Sequence, residues 1–188
     1  MQTNKPTYEE AVSLLKEFNK NESLLKHAYS VEAVMRYAAR KAGEDEEKWG
    51  IIGLVHDLDY ELFPEEHCEK TKKVLEERGW PPEYIRAVVS HGWGMYSEVE
   101  PQSYMEKVLY AVDELTGLVS AAALIRPSKS LSDLEVKSVM KKWKDKSFAA
   151  GVNRQVIEKG ASMLGVEIKG LVADVIAGMR EVADKIGL

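Results

Sequence analysis

The chain has 188 residues, 45% hydrophobic and 30% charged, which is ordinary for a globular protein and predicts one domain rather than two. Its 26 basic against 31 acidic side chains leave a net charge of −5, which argues against non-specific nucleic-acid binding, where phosphates must be neutralised. A single cysteine, Cys68, excludes an internal disulfide, and Met1 to Glu10 have no apolar leader core, so a cytoplasmic setting is expected.

In chain order the pattern is helical almost throughout. Thr7 and Glu10 have capping-box spacing, so a first helix is predicted from Thr7 to about Asn19. A second runs from Glu22 to Ala42, with Leu24, Leu25, Ala28, Val31, Val34, Met35 and Ala38 on one apolar face and Gly43 as its stop. A third runs from about Asp45 to Asp57 through Ile51, Ile52, Leu54 and Val55. Leu58 to Pro64 reads as a loop and Glu65 to Arg78 as a helix ended by Gly79. Pro81 and Pro82 suit the entry to the next helix, which carries Ile85, Val88 and Val89, and His91 to Gln102 reads as a Gly-containing loop.

The most apolar long stretch, Val108 to Ile125, carries Asp113 and Glu114 and so reads as part of a buried helix (Ser103 to Ile125), not as a membrane span. Ser132 and Glu135 have the spacing of a second capping box, before Val136, Val139, Met140 and Trp143. Helices over about Asn153–Leu164 and Glu167–Ile186 close the chain. No repeat, low-complexity tract or strand alternation is present, and the expected class is all-α.

All four histidines, His27, His56, His67 and His91, fall in one stretch, with Asp57 directly after His56 and Asp113 further on. Imidazole is the commonest neutral metal ligand, and carboxylates are its usual oxygen partners. His27 lies three residues after Leu24 and four before Val31, on the apolar stripe of its helix; His91 follows Val88 by three at a core-facing helix end. Asp113 lies beside the apolar row Val112, Leu115 and Val119, and a buried carboxylate without a partner costs several kcal/mol. Taken singly, His27 reads as a hydrogen-bonded core histidine, Asp113 as the partner of a lysine and His67 as a surface residue. Their conjunction with the His56–Asp57 pair favours a metal site assembled from several helices.

The run Gly53-Leu54-Val55-His56-Asp57-Leu58, preceded by His27 and followed by Asp113, resembles the HD-domain superfamily of metal-dependent phosphohydrolases over about Leu24 to Ala123. The resemblance implies an HD-type helical bundle filling residues 1–188, with the C-terminal helices from about 127 packed on the metal-binding core. It also implies that His27, His56, Asp57 and Asp113 ligate a first divalent metal. His67 and His91 match the two extra histidines of members that bind a second, with Asp57 bridging. Many members carry His-Asp-Ile-Gly-Lys, whose lysine can contact phosphate; here the stretch is His56-Asp57-Leu58-Asp59-Tyr60, so a carboxylate is added and the lysine is missing.

The expected activity is hydrolysis of a phosphate ester or anhydride of a small molecule, a nucleotide being favoured, by metal-bound hydroxide. Imidazole-rich ligation favours Mn, Fe, Co, Ni or Zn over Mg or Ca. Lys70, three residues after His67, is the first candidate for a phosphate contact. Asp59 is a candidate for orienting a water or leaving group. Lys129, Lys142, Lys146 and Arg154, with Arg126, surround Ser147 to Gly151 and offer a second anion site, or else form a solvated face. Trp93 and Tyr96 could stack on a base or pack beneath their loop. Oxygen chemistry at a di-iron centre and a non-catalytic nucleotide- or partner-binding module remain alternative readings. No nucleic-acid or membrane partner is expected, and the sequence leaves the oligomeric state open.

Overall fold

The structure is a computed structural model that describes residues 5–188. Ten α-helices follow one another: α1 (Tyr8–Phe18), α2 (Glu22–Ala42), α3 (Glu46–Val55), α4 (Glu69–Glu77), α5 (Pro82–Ser90), α6 (Tyr104–Leu124), α7 (Val136–Trp143), α8 (Arg154–Leu164), α9 (Ile168–Arg180) and α10 (Ala183–Ile186). No strand forms among the described residues, so the fold is all-α. None of these helices is long and apolar enough to cross a membrane.

The helices start where side chains can satisfy their free N–H groups. Thr7 and Glu10 form the expected capping box on α1, and Ser103 and Glu106 form another on α6. Asn21, Asp45 and Asn153 accept first-turn N–H groups of α2, α3 and α8. Helix α7 differs from expectation. Its N-cap is Glu135, with no side-chain cap bond, while Ser132 receives a hydrogen bond from Ser130 in the preceding loop. A Ser132–Glu135 box is therefore not made.

Helices α2 and α6 are the two longest, and nearly everything packs on them. Helix α2 meets α3, α6, α9 and α10; helix α6 meets α5, α7, α8 and α9. The core is built from their inward faces, including Val31, Val34, Met35, Leu109, Leu115 and Leu118, with Ile51, Ile52 and Leu54 of α3. Gly53 brings α3 close enough to deliver its C-terminal end beside α2, since a Cβ there would stand 2.9 Å from Met35 Cγ and 3.1 Å from the Val31 carbonyl.

Two predicted helices are broken. Glu65–Arg78 divides into a 3-10 turn, Pro64–Glu66, and α4; between them His67 is extended and Cys68 has φ +68°. His67 is thereby released from the helix and turned inward, held by a buried carboxylate (below). The last segment ends as a helix at Arg180, whose guanidinium donates to the carbonyls of Leu131 and Leu134. After a turn at Glu181 and Val182, α10 runs back along α2 and buries Ile186.

Candidate metal centre

Two helix C-termini, the interiors of two long helices and one loop deliver the polar core. His27 sits in the first half of α2, His56 caps the C-terminus of α3, Asp57 follows it, His91 caps the C-terminus of α5, and Asp113 lies midway along α6. His67 comes from the break before α4. His56, His67 and His91 are buried, while Asp57 and Asp113 keep 21% and 16% of their side chains exposed.

The donor atoms form two nests around one carboxylate. In the first, His27 Nε2 lies 2.9 Å from Asp113 Oδ1 and 3.2 Å from His56 Nε2, and His56 Nε2 lies 3.2 Å from the same Asp113 oxygen. Asp57 Oδ2 is 3.5 Å from His27 Nε2 and 3.4 Å from His56 Nε2. In the second, His67 Nε2 and His91 Nε2 are 3.2 Å apart, and Asp57 Oδ1 is 3.4 Å from the first and 3.3 Å from the other. Each Asp57 oxygen thus faces a different pair of histidines.

The outer ring nitrogens decide what these contacts are. His56 Nδ1 lies 2.8 Å from the Gly53 carbonyl and His91 Nδ1 2.5 Å from the Val88 carbonyl, so both nitrogens must carry hydrogen to donate. His67 Nδ1 donates to Asp59 Oδ1 at 2.7 Å. The Thr116 hydroxyl donates to the Asp113 carbonyl at 2.7 Å, so its oxygen accepts from His27 Nδ1 at 3.3 Å. In the neutral rings, four bare Nε2 lone pairs then face one another and the carboxylates, an arrangement that repels itself unless a cation lies between.

The spacings suit metal ions. Ligands about 2.1 Å from a metal lie about 3.0 Å apart at octahedral angles and about 3.4 Å apart at tetrahedral ones. The donor atoms of His27, His56, Asp57 and Asp113 all lie within 4.8 Å of one another, and so do those of His67, Cys68 and His91. The protein's own charges are arranged the same way. Burial opposes a charge on His56, yet Asp57 and Asp113 outweigh it and raise its pKa well above the ordinary value. Burial likewise opposes a charge on His91, and Asp57 raises it. Burial works against ionisation of Asp57 and Asp113, but their histidine partners hold both carboxyls below the usual range.

The HD domain family matches the chain over residues 24–139, which include every one of these donors. The chain belongs to the HD domain family. No curated protein and no solved structure matches it.

In this HD domain the nests open into a cleft of about 280 Å³, lined by His27, Asp57, His67, His91, Asp113 and Glu114, by Tyr60, Met95 and Tyr96, and by Gly117, Gly151 and Val152. Burial, then the neighbouring Asp113, push the Glu114 carboxyl up, and Glu114 accepts from Asn153 N–H at 3.0 Å. No lysine or arginine lines the cleft among the described residues.

The other candidate residues lie elsewhere. Asp59 is fully buried behind His67, with Oδ1 on His67 and Oδ2 accepting Thr71 N–H at 2.8 Å, so both its oxygens face protein and neither faces the cleft. Lys70 was expected on the face of His67, but the break at Cys68 removes that register. Its ammonium pairs with Glu66 at 3.2 Å and lies over the Phe63 ring. Arg154 donates to the carbonyls of Trp143, Asp145 and Phe148 and so holds the 143–148 turn together. Arg126 pairs with Asp133, Lys142 lies over Phe148, and Lys129 and Lys146 are exposed. The segment the sequence marked as basic reaches the cleft only through Gly151 and Val152.

The two aromatic candidates separate. Tyr96 is at the cleft mouth; Trp93 packs against Tyr110 with the Lys159 ammonium 3.3 Å from its ring centre. Sequence reasoning missed Tyr60, Glu114, Thr116 and Cys68. Cys68 follows His67 directly and Thr116 lies three residues after Asp113, one helical turn on, so adjacency and helical spacing were the available signals.

Proposed function

We propose that this HD domain is a metal-dependent phosphohydrolase that cleaves a phosphate ester or anhydride of a small molecule, with a nucleotide as the favoured class. The observation that carries the proposal is Asp57, whose two oxygens each face a separate pair of histidine nitrogens at the floor of an open cleft. The donor set, four imidazoles and two carboxylates, favours Mn, Fe, Co, Ni or Zn over Mg. Divalent ions bound there would acidify water and offset charge building on phosphate oxygens.

The chain's own residues fix the geometry for this. Asp59 and Thr116 hold the outer nitrogens of His67 and His27, while the backbone carbonyls of Gly53 and Val88 hold those of His56 and His91. Tyr60 and Tyr96 meet the His67 ring edge-on, with ring centres 5.2 and 4.8 Å away, and line the cleft beside it. The partner in this reading is a phosphorylated small molecule, with no role for nucleic acid or membrane, in a cytoplasmic setting.

Phosphate release is to be measured over nucleotides and sugar phosphates with Mn, Fe, Co, Ni, Zn and Mg, beside elemental analysis. Metal-dependent release that disappears in Asp57→Ala is expected. Tight nucleotide binding without release under any of these metals would overturn the enzyme reading, and oxygen uptake by a two-iron sample would replace it with an oxidative one.

A further inference from the structure

The cleft continues into a neighbouring groove. Leu24, His27 and Gly117 line both the cleft and this groove of about 740 Å³, bounded by Ser23 and Lys26 of α2, Ser120, Ala121 and Leu124 of α6, and Ile186 of α10. Asp113, Gly117, Ser120, Ala121 and Leu124 recur at helical spacing, so they form one face of α6. At 1.5 Å per residue that face runs about 16 Å from the metal ligand Asp113 to Leu124. The groove exists because Gly117, Ser120 and Ala121 present little side chain where α2 and α6 would otherwise interdigitate. The aromatic side of the cleft is by contrast taken up by His67, against which Tyr60 and Tyr96 are packed.

Charge narrows what can lie there. The cleft carries Asp57, Asp113 and Glu114 with no lysine or arginine, and the one cation lining the groove among the described residues, Lys26, pairs with Glu22 at 3.0 Å. The cleft itself offers no lysine or arginine to a second or third phosphate, and each would need cations or strong donors of its own. The groove wall itself is largely apolar, through Leu24, Ala121, Leu124 and Ile186, with serine hydroxyls between.

We infer, resting on the phosphohydrolase reading, that the substrate is a phosphomonoester of a bulky uncharged alcohol whose body lies in the α2–α6 groove. In the reaction a water oxygen forms a new bond to phosphorus, the P–O bond to the alcohol breaks, and a proton from that water ends on the alcohol oxygen, giving alcohol and inorganic phosphate. A nucleoside and an apolar alcohol both meet this description.

The test compares kcat/KM of the Mn-loaded protein for adenosine monophosphate, adenosine triphosphate, hexyl phosphate and ethyl phosphate. Affinities for hexylphosphonate and methylphosphonate are measured in parallel by calorimetry. At least a tenfold preference for a bulky monoester over both ethyl phosphate and the triphosphate is expected; whether adenosine monophosphate or hexyl phosphate leads identifies the alcohol. Ala121→Trp, at a partly exposed position facing the groove, should cut the ratio of bulky to ethyl ester at least tenfold and remove the preference for hexylphosphonate; Ser120→Trp is the second variant should the first fold poorly. Equal loss on bulky and small esters, an unchanged ratio, or preference for the triphosphate would overturn the inference while leaving the hydrolase intact. If no ester is cleaved but hexylphosphonate binds preferentially and Ala121→Trp abolishes that, the groove assignment stands and the hydrolase reading fails.

Discussion

Asp59→Asn tests whether the second nest depends on the carboxylate behind it. In the native protein Asp59 accepts His67 Nδ1–H through one oxygen and Thr71 N–H, at 2.8 Å, through the other, with no exposure to solvent. Asparagine keeps the shape but has one acceptor for two donors, so its amide NH₂ must face either His67 or Thr71. Loss of such an outer partner weakens a metal–histidine site by about 10- to 100-fold, or about 1.4–2.7 kcal/mol. The unpaired buried donor should cost a further 1–3 kcal/mol or so of folding stability. Elemental analysis after dialysis should show one equivalent lost and one kept, because His27, His56 and Asp113 do not touch Asp59, and calorimetric titration should show the lost class rebinding weakly. Two equivalents at native affinity would refute the idea that Asp59 sets the basicity and aim of His67.

Asp57→Ala should release both equivalents, since its oxygens serve both nests; retention of either by elemental analysis would mean that the nests are independent. Metal removal by chelation should lower the melting temperature, because a ligand bound only to the folded state stabilises it by mass action, and scanning calorimetry with and without added Mn measures the shift. Two helical glycines should respond in opposite directions in denaturant unfolding. Gly160→Ala would set a Cβ 2.6 Å from the Ala111 backbone where α8 crosses α6, so about 1–3 kcal/mol of destabilisation is expected. Gly117→Ala meets nothing nearer than 3.7 Å, and the helix preference for alanine predicts up to about 1 kcal/mol of gain.

Much of the candidate metal centre was legible because most of its donors sit on regular helices or at their ends. His27 and Asp113 lie on or beside apolar stripes, and a stripe tells which way a side chain points. His67 was recognised as a residue but placed on the wrong element, since nothing local announces that the helix breaks at Cys68. That error carried Lys70 with it, as its expected position depended on sharing a helix face with His67. The lysines near Ser147 looked like an anion site because they are close in sequence. In the folded chain Arg154 satisfies three carbonyls and Lys142 covers Phe148, while the turn offers the cleft only its backbone and Val152.

The sequence by itself determined the all-α class, most helix boundaries and the residues that make up the two nests, because apolar periodicity, caps and ligand chemistry are all local. Tertiary structure decided the rest. It set which pair of histidines each Asp57 oxygen faces and at what distance, turned Asp59 from a supposed catalytic group into the partner of His67, and opened the α2–α6 groove beside the cleft. These depend on how closely helices approach and on which groups meet across a break in the chain. Contacts between residues as far apart as His27 and Asp113 are made only when α2, α3 and α6 pack together.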